Sequence, residues 1–246
     1  MTIILYDLAS ALPEKAFAPN PWKVRFCLNY KGLPFKVEWV EFVDIESVYK
    51  KHEITPSKNA DGSPSWVLPV IHDTDTGVSM HDSFAIAEYL EGKHSSPSLF
   101  PDNTIAFQSI FDEVVRRTAL KSVIRFIVYD VYQIVNPASK EFIRRTREPI
   151  FGKPLEEIPP KGDDAVAQWA KVEAEWGTID SWYKKSGGPY ILGNTVSWAD
   201  FVTACWIISA RAAWGQDSPK WKDFTSWHGG RWGKLLGDLE GYQKIE

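Results

Sequence analysis

Apolar residues come in short runs over the first ninety positions and at three- and four-residue spacing beyond them, so the chain reads as two halves of different architecture. Ile3, Ile4 and Leu5 make a continuous apolar run, expected of a strand covered on both faces. A loop with Pro13 follows. Asn20 as N-cap, Pro21 at the first helical position and Gly32 as stop then predict a helix. Alternation over residues 35–42 predicts a second strand, and the polar stretch 43–64 reads as a helix-poor loop. The apolar, β-branched run 66–71 reads as a strand with Pro69 in its middle. Asp73-Thr74-Asp75-Thr76-Gly77 predicts a hairpin turn, residues 78–80 a short strand, and Asp82-Ser83 the cap of a helix whose apolar face is Phe84, Ile86, Ala87 and Leu90, closing at Gly92. The order is β-α-β-α-β-β-α.

Residues 91–103 are rich in Ser, Pro and Gly and read as a connection; beyond them the pattern is helical, over 105–135, 139–151, 163–184 and 197–214. The expected division is 1–93, a linker 94–103, and an all-α domain 104–246. Ser197 with Asp200 three residues on has capping-box spacing, and Val196 is placed to staple against Phe201. That motif serves folding.

Charge and composition narrow the function by exclusion. Twenty-eight basic against 32 acidic residues give −4, which provides no field to gather nucleic acid or anionic lipid. No apolar run reaches the roughly 20 residues that span a bilayer, and the start has the pattern of a strand, not of a leader. Cys27 and Cys205 fit no metal or redox spacing, the five histidines have no ligand geometry, and a reducing, cytoplasmic setting without a bound metal is expected. The basic run 140–147 reads as a solvated helix face pairing with Glu141 and Glu148. Twelve tryptophans serve mainly packing.

The candidate chemistry lies between Ser65 and Gly92. Pro69 cannot donate to a sheet ladder, which leaves the backbone N–H and C=O of Leu68 open to an extended peptide. The helix start beside it presents unpaired N–H groups to a carboxylate. Together they suit a small acidic peptide.

This strand-proline, turn and Asp82-Ser83-x-Ala-Ile-x-x-Tyr-Leu pattern resembles the glutathione site of glutathione transferases, and the Gly193, Ser197, Ala199, Asp200 run resembles the core-helix motif of their second domain. The resemblance is closest to the fungus-specific and bacterial β-etherase-like branch. It implies a thioredoxin-like domain followed by an all-helical one, with glutathione as cosubstrate. It implies a cis Pro69, Leu68 pairing with the cysteinyl backbone, Asp82 and Ser83 holding the γ-glutamyl carboxylate, and Trp22 in the same site. One polar side chain of the 43–64 loop, with Lys51 and His52 as candidates, would meet the glycyl carboxylate. Where those branches carry a thiolate-activating serine, this chain has Ala18, and a methyl group donates nothing; Asn20 and the backbone of the helix start are the expected substitutes. Cys27, inside the helix, reads as inert. Phe17, Phe107, Phe111, Tyr129 and Tyr132 are the expected lining of an aromatic acceptor pocket. The implied activity is conjugation or aryl-ether cleavage of an aromatic electrophile, at a low rate, by a homodimer; the alternative is a non-catalytic glutathione-dependent carrier of polyphenols.

Overall fold

The first apolar run becomes β1 (Ile3–Leu8), which sits inside a four-stranded sheet and is buried along most of its length, as its lack of alternation required. The computed structural model describes residues 2–246. Helix α1 (Pro19–Tyr30) returns the chain to β2 (Phe35–Val40), parallel to β1 with Ile3 opposite Phe35. Helix α2 (Ile45–Lys51) and a small ribbon of β3 (Ser57–Lys58) and β4 (Pro64–Ser65) follow. β5 (Val70–Asp73) lies antiparallel to β1, β6 (Ser79–His81) antiparallel to β5, and α3 (Ser83–Lys93) closes this thioredoxin-like unit, with strand order β2-β1-β5-β6.

Three local expectations are corrected. The N-cap of α1 is Ala18, with Pro19 and Pro21 flanking Asn20 inside the first turn, so Asn20 caps nothing. Pro19 fills the first helical position as well as Pro21 would, and the helix starts two residues earlier even though Ala18 offers no side-chain cap. The 43–64 stretch holds α2, whose buried Ile45, Val48 and Tyr49 form a stripe at three- and four-residue spacing hidden among lysines and glutamates. The strand expected from Trp66 begins only at Val70, after the proline.

The second half is helical throughout: α4 (Ile105–Val115) runs through a wider π-type turn, Arg116–Leu120, into α5 (Lys121–Ile134), followed by α6 (Pro137–Phe151), α7 (Gly162–Ser186), α8 (Trp198–Trp214) and α9 (Pro219–Asp238). Helix α9 lay outside the sequence reading. Its interior glycines and the non-helical dihedrals from Trp227 to Gly230 interrupt it. Nearly every side chain of α8 is buried, and α8 packs on α1 through Phe26 stacked on Phe201 at 5.2 Å, which joins the two units in one core.

Asp200 accepts from the N–H of Ser197 at 3.0 Å, from its hydroxyl at 3.2 Å and from the N–H of Ile191 at 2.9 Å. Burial outweighs those bonds and pushes its carboxyl up to about 6. Because the folded state holds this proton more tightly than the unfolded chain, the group's contribution is full below pH 4 and is lost as pH rises through about 6. Urea unfolding of wild type and Asp200→Asn should therefore show a stability difference that moves against wild type, by roughly 2–3 kcal/mol, between pH 4 and 7. A constant difference would refute the assignment.

Candidate functional site

The site is built where α1 begins. Ala18 holds an extended backbone (φ −76°, ψ 130°) and is almost fully buried, and its carbonyl accepts the N–H of Trp22 at 3.3 Å. Two prolines remove two of the first-turn donors, and the Trp22 N–H is taken. The N–H of Asn20 and its side-chain amide remain, and among the described residues neither has a hydrogen-bond partner. Partial positive charge at the helix start adds to them.

Opposite lies the segment before β5. The Tyr49 hydroxyl donates to the Val67 carbonyl at 2.8 Å and fixes the segment against α2. Leu68 follows with a cis bond to Pro69. Among the described residues neither the N–H nor the C=O of Leu68 is hydrogen bonded, so a peptide edge stands open there. Asp82 caps α3 at φ +75°, a conformation rare for a side-chain-bearing residue and a local strain of the kind found at ligand sites. Its Oδ1 takes the N–H groups of Phe84 and Ala85, both at 3.0 Å. The open helix start expected here is therefore partly closed by its own cap, and among the described residues the N–H and hydroxyl of Ser83 remain as the free donors of that turn.

Two clefts border these groups. The smaller, about 410 Å³, runs from Leu68 past Asp82 and Ser83 to Lys23, Asp112 and Arg116. It carries both signs of charge: Lys23 Nζ lies 2.7 Å from Asp112 Oδ1, and Arg116 pairs with Glu113 at 2.6 Å. The larger, about 920 Å³, has a mainly apolar wall of Phe42, Ile127, Val128, Phe142, Phe151 and Trp206. Asn20, Val67 and Leu68 line both. Ala18 borders the larger cleft and carries no hydroxyl.

Of the expected residues the fold brings Phe17, Ala18, Asn20, Leu68, Pro69, Asp82 and Ser83 to these clefts. It keeps others away. Trp22 is buried, its indole N–H directed to the Ala16 carbonyl at 3.4 Å and its face against the Arg25 guanidinium. His52 bonds the Tyr6 hydroxyl at 2.7 Å and Ser79 at 3.2 Å, and burial lowers its pKa. Lys51 lies 3.3 Å from the same Tyr6 hydroxyl, whose hydrogen bond raises its pKa, and 3.7 Å from Glu38. Both belong to a polar cluster between α2 and the sheet. Phe111 packs on Trp182, Tyr129 stacks on Tyr132, and Phe107 is half exposed on α4, so none of the four lines the large cleft. Cys27 is fully buried and burial pushes its thiol far up, which leaves it inert. Lys23 was legible in principle: three residues after Asn20, it shares that residue's helix face. Asp112, Arg116 and Trp206 reach the clefts only through tertiary packing.

Models of the glutathione S-transferase N-terminal domain and C-terminal domain match residues 17–93 and 106–242. The chain belongs to the glutathione S-transferase family. A glutathione S-transferase of Ceriporiopsis subvermispora, solved in complex with glutathione, is 38% identical to this chain; the match covers 99% of this chain and 98% of that one, and the two superpose with a TM-score of 0.94. GSTFuA3 of Phanerochaete chrysosporium is 36% identical, with 100% and 99% covered and a TM-score of 0.93. The chain also resembles the glutathione S-transferase-like protein ustS of Aspergillus flavus, 29% identical over an alignment of 217 positions that covers 82% of this chain and 78% of that protein. Among the described residues no helix is long and apolar enough to cross a membrane, and no cluster of side chains could hold a metal.

Proposed function

We propose that this protein binds glutathione in the smaller cleft and directs its sulfur toward an aromatic electrophile in the larger one. The observation that carries the reading is that the two clefts meet at Asn20, Val67 and Leu68, with the Leu68 edge unpaired. The cysteinyl backbone pairs with Leu68, the γ-glutamyl carboxylate takes the free Ser83 donors, and the γ-glutamyl ammonium lies toward Asp82 and Asp112. The thiolate then attacks an electrophilic carbon, and a halide or phenolate leaves with the bonding pair. The thiol proton passes to solvent, and the Asn20 amide and N–H hold the sulfur's charge more weakly than a serine hydroxyl would. Bound glutathione in the Ceriporiopsis relative supports the binding half of this reading. The chain is read as a cytoplasmic member of the fungus-specific or β-etherase-like branch, with units 1–93 and 104–246 joined by 94–103. It is read as a homodimer, for which the exposed row Phe107, Ile110 and Val114 of α4 is the candidate face.

Turnover of chlorodinitrobenzene and of a β-aryl ether, followed by release of dinitrophenyl-glutathione and of phenol, tests the enzyme. Absence of both products with intact glutathione binding would favour the second reading, a carrier, which the missing hydroxyl at Ala18 supports. Ser83→Ala should raise the glutathione dissociation constant by roughly tenfold, since a hydrogen bond to a charged group is worth about 1.5–3 kcal/mol. Calorimetric titration with reduced glutathione measures this, and an unchanged constant would remove Ser83 from the site.

A further inference from the structure

The wall of the larger cleft is apolar except at a few places, and two of these are arginines of α6. The basic run 140–147, expected to be a solvated and paired face, divides in the structure. Arg144 is fully committed: it holds Glu148 and Glu156, each at 2.5 Å, and reaches the Tyr132 hydroxyl at 3.3 Å. Arg145 and Arg147 instead line the cleft, and among the described residues neither has a carboxylate within ion-pair distance. Arg145 lies over the Phe142 ring, 5.9 Å from its centroid. Arg147 is half-buried and its hydrogen bond goes to the neutral Thr146 hydroxyl at 3.2 Å. The one acidic side chain on this wall, Glu46, is exposed and already paired with Lys50 at 2.9 Å.

A guanidinium drawn out of water without a counter-ion is costly to the fold, and its desolvation here is strong enough to lower its pKa. An anion delivered to it recovers that cost, and a planar carboxylate does so through two parallel hydrogen bonds. Phe42, Phe142 and Trp206 line the same cleft as the two arginines, so the cleft offers both an aromatic wall and a counter-charge to one ligand. We propose that the acceptor cleft selects aromatic acceptors carrying one negative charge, a carboxylate or a comparable acidic group, with Arg147 as the specificity-determining residue and Arg145 as a weaker second donor. This rests on the larger cleft being the acceptor site.

The test uses a matched pair of probes, 4-chloro-3-nitrobenzoate and 4-chloro-3-nitrobenzamide, which differ in charge and little in shape. Their binding is followed by quenching of tryptophan fluorescence, to which Trp66 and Trp206 on the cleft wall contribute. Wild type should bind the acid at least tenfold more tightly than the amide, and the ratio should fall as salt rises from 20 to about 300 mM. Arg147→Met should bring the ratio near one, Arg147→Lys should keep part of it, and Arg145→Met should lower it less. Equal affinities for acid and amide in wild type would overturn the proposal without calling on any variant. A ratio unmoved by Arg147→Met in a protein with an unchanged melting curve would also overturn it. So would a weaker grip on glutathione in Arg147→Met with the acid preference intact, because the arginine would then serve the glycyl carboxylate. Failure of glutathione itself to bind wild type in calorimetry is a different result, and it would remove the proposed function rather than this refinement.

Discussion

Ala18→Ser is expected to raise kcat/KM for chlorodinitrobenzene by roughly 10- to 100-fold and to lower the thiol pKa of bound glutathione by about one to two units. The magnitude follows from a single hydrogen bond to a charged acceptor, worth about 1.5–3 kcal/mol. Geometry favours the gain, because residue 18 is the N-cap of α1 and faces the cleft into which Asn20 and Leu68 also open. A serine there accepts the Asn20 N–H through a lone pair and donates its own proton to sulfur, since Pro19 and Pro21 compete for neither. The same change should stabilise the helix by about 1 kcal/mol. Absorbance of the thiolate as a function of pH, in wild type, Ala18→Ser and Asn20→Ala, measures the first effect. Asn20→Ala should raise the thiol pKa above wild type. An unshifted thiol in wild type, with no response to either change, would end the assignment of residues 18 and 20 to activation.

Asp7→Ala should destabilise the fold by about 3–5 kcal/mol, more than Arg25→Leu. The two side chains form an ion pair with no solvent contact, Arg25 Nη2 lying 2.8 Å from Asp7 Oδ2 and tying α1 to β1. The contact lies off a hydrogen-bond axis, so its strength is chiefly ionic. Removing Asp7 leaves a guanidinium that cannot shed its proton and, among the described residues, has the Ile245 carbonyl at 3.3 Å and the Trp22 and Trp39 rings for company. Removing Arg25 leaves a carboxyl that burial already pushes up and that can accept a proton. That carboxyl's folded pKa then stands above its unfolded value, so Arg25→Leu should gain stability as pH falls toward 4, while Asp7→Ala should not. Urea unfolding at pH 4.5 and 7.5 separates the two. Equal costs at both pH values would show that the pair carries no net electrostatic weight.

What could be read from the chain depended on whether the signal was local. Turns, caps and prolines act over a few residues, so the Leu68-Pro69 step, the Asp82 cap and the Ser197/Asp200 box were legible one by one, and the family followed from their order. Where a sequence offers two helix starts, as Pro19 and Pro21 do, the one with the better cap is not always used: the helix begins after Ala18, and Asn20 became a free donor instead of a cap. Helix α2 was hidden because charged residues separate its buried positions, and Trp22 was misplaced because a flat ring suits a pocket as well as a core. The sequence by itself determined a thioredoxin-like unit with an open peptide edge and an all-helical partner. Only the tertiary structure decided which side chains line the clefts, leaving Arg147 without a carboxylate among the described residues beside a fully paired Arg144. Burial and charge pairing there arise from α2, α5, α6 and α8 meeting across long stretches of chain, and no spacing along one of them encodes what the others bring.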